Sequence, residues 1–218
     1  MKNAVKLHHL CKKFGEQVVL NNVSLDLPEG QIYGLVGRNG SGKSVLLKCI
    51  AGLIRPTVGT VEVFEKQIGK DVDFAPSTGI AIDQPGLLLR KSARENMRAL
   101  SALLHKPDDA QISTLLQKVG LRPDERKLVA QYSTGMKQRL SIAMAMLDAP
   151  KLLLLDEPMS NMDVDGAKEM RELFRNLVRE GTTLIVATHI AEDVEHLCNT
   201  VYSIRKGEII QNRNKMMG

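Results

Sequence analysis

Apolar positions along this chain change period several times, and each change marks a boundary between elements. Val5 to Leu7, Val18 to Leu20 and Val23 to Leu27 form short alternating or clustered apolar runs, punctuated by Phe14-Gly15 and Pro28-Glu29-Gly30. Runs and turns of this kind predict a small antiparallel sheet. Ile32 to Val36 then reads as a buried strand, and Val45 to Ala51 as a helix that Gly52 and Pro56 end. Thr60 to Phe64 is another strand, and Gly79 to Asp83 a short one that leads into Gln84 and Pro85-Gly86. From Ser92 to about Ala149 the period becomes helical. Ser92 with Glu95 makes a capping box, and further helical runs cover Ala110 to Val119 and Met136 to Leu147. Strand and helix alternate again afterwards: Leu152 to Leu155, Val164 to Arg179, Thr183 to Thr188, Ala191 to Leu197 and Val201 to Ile204. The tail from Asn212 to Gly218 is expected to fray. The pattern predicts an α/β body interrupted by an inserted helical lobe.

Composition narrows the class. A chain of 218 residues holds one substantial domain, or one with an inserted lobe. Its 43% hydrophobic and 25% charged residues are ordinary for a globular protein. No apolar run approaches the roughly eighteen residues that span a bilayer; Leu152-Leu153-Leu154-Leu155 is far too short. His8, His9, Lys12 and Lys13 interrupt any signal-peptide core. Cys11, Cys49 and Cys198 lie far apart without metal-ligand spacing, as reduced thiols do, so a cytoplasmic protein is expected. A formal charge of +5 invites a nucleic-acid partner. Against it, Lys and Arg are scattered, Trp is absent and aromatics make up only 3%, so platforms for stacked bases are missing and no nucleic acid is expected. A mildly basic surface near anionic lipid or phosphate accounts for the charge equally well.

The chemistry concentrates in three places. Gly37-Arg38-Asn39-Gly40-Ser41-Gly42-Lys43-Ser44 fits the phosphate-binding loop, set between a strand and a helix as that motif requires. Its glycines let backbone N–H groups point at an anion, Lys43 brings a point charge to the β/γ-phosphates, and the Ser44 hydroxyl suits Mg²⁺. Leu152 to Leu155 delivers Asp156 and Glu157 at the carboxyl edge of a strand, where open parallel sheets bind ligands. Asp156 is placed to hold Mg²⁺. Strand alternation puts Glu157 on the opposite face, where it could orient or deprotonate the water that attacks the γ-phosphate. His189 ends a further strand at the same edge, and reads either as a γ-phosphate hydrogen-bond partner or as an ordinary helix-capping or surface residue. Tyr132-Ser133-Thr134-Gly135-Met136 opens a helix with free N–H groups. It is a plain cap or the second half of a site completed between subunits. Phe14, from its residues alone, reads as a core aromatic.

Together these motifs make the whole chain resemble the ATP-binding subunit of ABC transporters. Ser133-Thr134-Gly135-Met136 stands where that family has Ser-Gly-Gly-Gln, Ser160-Asn161-Met162-Asp163 matches its D-loop, and His189 its switch histidine. The Tyr-Ser-x-Gly-Met-Lys-Gln-Arg string is similar to the branch serving drug, bacitracin-type and lantibiotic-immunity exporters. The family's Q-loop glutamine falls on Asp83, with the actual glutamine next door at Gln84, so either residue takes that role. Phe14 occupies the family's adenine-stacking position, which displaces the core reading. The resemblance implies an α/β fold with a RecA-like P-loop NTPase core, an N-terminal antiparallel β-subdomain and an inserted α-helical subdomain. The insertion would be 87–149, with 1–86 and 150–218 supplying the rest. It implies ATP and Mg²⁺ as cofactors, and a head-to-tail pairing with a second nucleotide-binding subunit, identical or a close paralogue. In that pairing the P-loop of one copy, with Lys43, and the Ser133/Gly135 helix start of the other sandwich each nucleotide, and Asp163 of the D-loop is a further nucleotide-binding residue. It further implies a separate transmembrane permease as partner and a place on the inner face of the membrane. A non-transport ABC ATPase acting on ribosomes or nucleic acid is the alternative.

Overall fold

The computed structural model describes residues 2–83, 86–104 and 108–214. The first sheet is built on a long hairpin, β1 (Asn3–Phe14) and β2 (Gln17–Pro28), with β4 (Val58–Val63) and β5 (Lys66–Gln67) added in the order β2-β1-β4-β5. The apolar runs Val18 to Leu20 and Val23 to Leu27 are one strand, not two. Asn22 takes a left-handed φ of 52°, and the β1–β2 register shifts around Leu10 and Lys12, so a bulge absorbs what the sequence suggests is a break.

The second sheet contains the predicted core strands: β3 (Ile32–Val36), β6 (Thr78–Ala81), β7 (Leu152–Asp156), β8 (Thr183–Thr188) and β9 (Thr200–Arg205). Its order is β10-β9-β3-β8-β7-β6, parallel except for β10 (Glu208–Asn214) against β9. The pattern predicts the last strand to end at Ile204 and the tail Asn212 to Gly218 to fray; instead β10 pairs through Asn214 with Thr200, and 215–218 lie outside the described residues. Lys206 and Gly207 both adopt positive φ, 49° and 79°, the geometry of a tight two-residue hairpin turn. The strand it launches is too polar to show an alternating pattern.

Every residue of β8 is buried, as are Leu152 to Leu155 of β7, because both faces of this sheet are covered. Leu152 and Leu154 pack with α1 (Lys43–Ala51) and the first sheet. Leu153 and Leu155 pack on the other side with α4 (Thr134–Ala145) and α5 (Val164–Arg179). Phe174 on α5 is fully enclosed in that second layer. Phe174→Ala is expected to cost about 3–5 kcal/mol of stability, read as a fall in denaturant midpoint at unchanged slope.

α2 (Ala93–Leu103), α3 (Asp109–Lys118) and α4 lie between β6 and β7 in chain order. The expected capping box is formed at Ser92: its Oγ accepts from Glu95 N at 3.3 Å, and Glu95 Oε2 accepts from Ser92 N at 2.8 Å. Arg139 ties this block to α5. Its Nη1 donates to Val119 O at 2.6 Å and its Nη2 to Glu169 Oε2 at 3.0 Å. A Cβ at Gly120 or Gly166 would fall 2.4 or 2.7 Å from its guanidinium nitrogens. Among the described residues no helix is long and apolar enough to cross a membrane.

Candidate nucleotide site

β3 runs straight into the glycine loop, and the loop into α1. Gly42 has φ 108°, and a Cβ there would lie 2.9 Å from Val19 O; one at Gly37 would lie 2.4 Å from Ile204 O. Only glycine lets the loop pass this close to β2 and β9. Gln17 to Val19, Asn39 to Val45, Asp156, Glu157 and Lys206 line a cleft of about 680 Å³. Gly37 and Arg38 face a second recess behind the loop, shared with Arg205 and Lys206.

Within the cleft the charged groups are closely matched. Lys43, only 6% exposed, donates to Gly37 O at 2.7 Å and lies 3.8 Å from Glu157 Oε1. Ser44 Oγ donates to Asp156 Oδ2. Burial pushes the Asp156 carboxyl above the usual carboxylate range; the Ser44 hydrogen bond opposes the rise and the Glu157 charge adds to it. A cation beside Asp156 would relieve that strain. Ser41 Oγ and Glu157 Oε2 are buried without hydrogen-bond partners among the described residues. Both point to chemistry completed by a bound group. No cluster of three or more His, Cys, Asp or Glu side chains able to hold a metal occurs among the described residues. A cation at Ser44 and Asp156 would take its remaining ligands from phosphate and water, as Mg²⁺ does.

The expectation that Glu157 points away from Asp156 fails. Glu157 lies just past β7 with φ 47°, its N–H donating to Ala187 O at 2.8 Å, and both carboxylates line the same cleft. Side chains alternate only while the backbone stays extended, and the left-handed residue breaks the rule. His189 Nδ1 shares a 2.7 Å hydrogen bond with Glu157 Oε1, so the neighbouring ends of β7 and β8 bring these two side chains together.

The remaining candidates are spread out. Phe14 is 46% exposed at the end of β1, with Lys12 Nζ 4.9 Å from its ring centroid. The core reading is therefore incorrect, because the ring lies at the hairpin end of β1, opposite Gln17 and beyond the pairing with β4; it does not line the cleft. Asp83, with φ 58°, ion-pairs with Lys48 one turn beyond Ser44 on α1. Gln84 lies outside the described residues. Ser133 N-caps α4, accepting from Met136 N at 3.2 Å, and Asp163 N-caps α5, accepting from Gly166 N at 2.8 Å. Gly135 approaches the D-loop of its own chain so closely that a Cβ would sit 2.7 Å from Asn161 O. None of Ser133, Gly135 and Asp163 lines the P-loop cleft. Sequence reasoning missed the cleft wall at Gln17 to Val19 and Lys206, which no local motif marks. It also missed Lys48, whose only signal is its place four residues after Ser44.

A glycine loop entering a helix at the carboxyl edge of a parallel sheet, with Asp156 at the same edge on β7, one strand beyond the neighbouring β8, defines a P-loop NTPase. Residues 20–160 match the family model described as ABC transporter, and the chain belongs to that family. It is 38% identical over 206 residues to the lantibiotic transport ATP-binding protein SrtF of Streptococcus pyogenes, covering 94% of this chain and 89% of that protein. It is 35% identical to the bacitracin transport ATP-binding protein BcrA of Bacillus licheniformis, over 97% of this chain and 70% of that protein. A bacterial ABC transporter cassette solved as a dimer superposes with TM-score 0.87 at 26% identity, covering 96% of this chain and 98% of the other. A dimeric cassette in a post-hydrolysis state with ADP and Pi gives TM-score 0.85 at 25% identity, over 96% and 98% of the two chains. The protein is an ABC-type ATPase, the ATP-binding subunit of a transporter.

Proposed function

We propose that this chain is the Mg²⁺-dependent ATPase of an exporter for a drug, peptide or lipid-like molecule, working on the inner face of the membrane. The observation that carries the mechanism is the Ser44–Asp156 hydrogen bond inside a glycine-walled cleft that also holds Lys43 and Glu157. The export branch is supported by the lantibiotic and bacitracin relatives.

Each residue has a part in this reading. Lys43 exchanges Gly37 O for β/γ-phosphate oxygens, and the amides of Asn39 to Ser44 hold the phosphate chain at the start of α1. Ser44 and Asp156 hold Mg²⁺, which neutralises phosphate charge when bound. Glu157 orients the attacking water and accepts its proton through Oε2, which has no partner among the described residues. With a proton on each ring nitrogen, His189 donates from Nδ1 to Glu157 and from Nε2 to a terminal phosphate oxygen. Phe14 stacks on adenine, and Asp83 or Gln84 serves the Q-loop role. Because Ser133, Gly135 and Asp163 lie outside the cleft of their own chain, they act on the nucleotide held by a second, identical or paralogous subunit. Residues 87–149 form an inserted subdomain, with exposed Leu88 and Leu89 contributing to the dock for a separate transmembrane permease. Nucleic acid has no part in this scheme.

The export reading is tested by co-expressing the chain with a candidate permease in a sensitive host. Protection against bacitracin or a lantibiotic that disappears with Glu157→Gln supports it. A complex that moves a substrate inward, or forms with no membrane protein, removes it. The two-copy arrangement is tested separately. Ser133→Arg is expected to abolish ATP-dependent dimers in sedimentation while monomer affinity for ATP stays within about twofold. Normal dimers in that variant would count against the shared site.

A further inference from the structure

The segment that carries His189 is packed into the core only farther on, through Val194, Leu197 and Cys198 of the helix that follows. β8 ends at Thr188, and the following helix α6 (Ala191–Leu197) is only seven residues long. Its N-cap, Ile190, has no side-chain acceptor; the local bonds are Ile190 N to Thr188 Oγ1 at 3.0 Å and Val194 N to Ile190 O at 3.4 Å. The His189 ring is about half exposed, and its hydrogen bond to Glu157 depends on where the backbone places it.

That backbone is held from α5. Arg171 reaches out of the core face of α5 and forks onto the first turn of α6: Nη1 to Asp193 Oδ1 at 3.1 Å, Nη2 to Glu192 Oε1 at 3.3 Å. The Arg171 and Asp193 side chains are 9% and 4% exposed. Arg175 Nη2 adds a bond to His196 O at 2.6 Å at the other end of the helix. Burial holds the Asp193 carboxyl above its ordinary range, Arg171 opposes this, and Glu157 is near enough for its charge to add to the rise. Asp193 Oδ2 has no partner among the described residues. A buried ion pair with an unsatisfied oxygen is a poor source of stability, since well-packed apolar side chains hold such a site at least as firmly. What the planar fork supplies is direction.

We propose that Arg171 and Asp193 are a positioning pair for hydrolysis: by fixing the first turn of α6 they set the orientation of His189 against Glu157. The inference rests on the roles given above to His189 and Glu157. Asp193→Asn is expected to lower kcat for ATP about tenfold to a hundredfold, with KM and ATP affinity within about twofold. In the nucleotide-free protein, the His189 side-chain ¹⁵N signals should move to those of Glu157→Ala, where the hydrogen bond cannot form. Arg171→Lys, which keeps the charge without the fork, should shift both readouts the same way and covers the case in which Asp193→Asn does not fold. The double variant Arg171→Met/Asp193→Leu should recover the melting temperature but not kcat. Recovery of kcat together with stability would reduce the pair to packing and overturn the proposal, as would a folded Asp193→Asn with unchanged His189 signals. His189→Ala with full kcat would instead sink the site reading, leaving the ¹⁵N signals to decide the positioning by themselves.

Discussion

Glu157→Gln is expected to cut steady-state ATP turnover about 10²- to 10⁴-fold while leaving ATP affinity nearly intact, and to accumulate an ATP-loaded dimer. Glutamine keeps the size of the side chain and an acceptor for His189. It loses the basicity of Oε2, the buried oxygen that has no partner among the described residues. Binding should survive because Lys43 and the loop amides remain, and removing a negative charge 3.8 Å from Lys43 leaves more of that cation for phosphate. Single-turnover hydrolysis beside equilibrium titration separates the two effects. Turnover within a few-fold of the parent would remove Glu157 from the proton-transfer role, whatever its affinity for ATP.

Lys43→Ala should weaken ATP binding by about tenfold to a hundredfold, the scale of a charge-assisted hydrogen bond lost from an enclosed site. The effect has a structural component. Lys43 also closes its own loop onto Gly37 O, so alanine loosens the loop as well as removing the charge. Titration with a fluorescent ATP analogue reads the loss, and the melting temperature of the nucleotide-free variant shows how much is loop. A variant that binds ATP as tightly as the parent would leave the P-loop amides as the entire phosphate site.

Much of this architecture is legible in order along the chain. The runs Leu152 to Leu155 and Thr183 to Thr188 are apolar without alternation because both faces of β7 and β8 are covered, and that signal survives any tertiary detail. The Ser92–Glu95 box works because its partners lie within one helical turn. Where the reading fails, the deciding contact is either a single left-handed residue or a partner distant in sequence. Asn22 joins two apparent strands into one, Lys206-Gly207 turns an apparent tail into β10, and Glu157 swings to the face occupied by Asp156. None of these residues is a glycine that would announce its φ, apart from Gly207.

The sequence by itself determined the phosphate-loop motif, the acidic strand end, the family and most of the strand–helix order, because each depends on residue types at short, fixed spacing. The tertiary structure decided which of those groups meet. The pairing of β3, β8 and β7 at one sheet edge assembles Lys43, Asp156, Glu157 and His189, while Ser133 and Phe14 are left outside their own cleft. Lys48 on Asp83 and Arg171 on Asp193 appear only in space. Contacts between positions far apart along the chain depend on how strands and helices cross, and no local spacing encodes that.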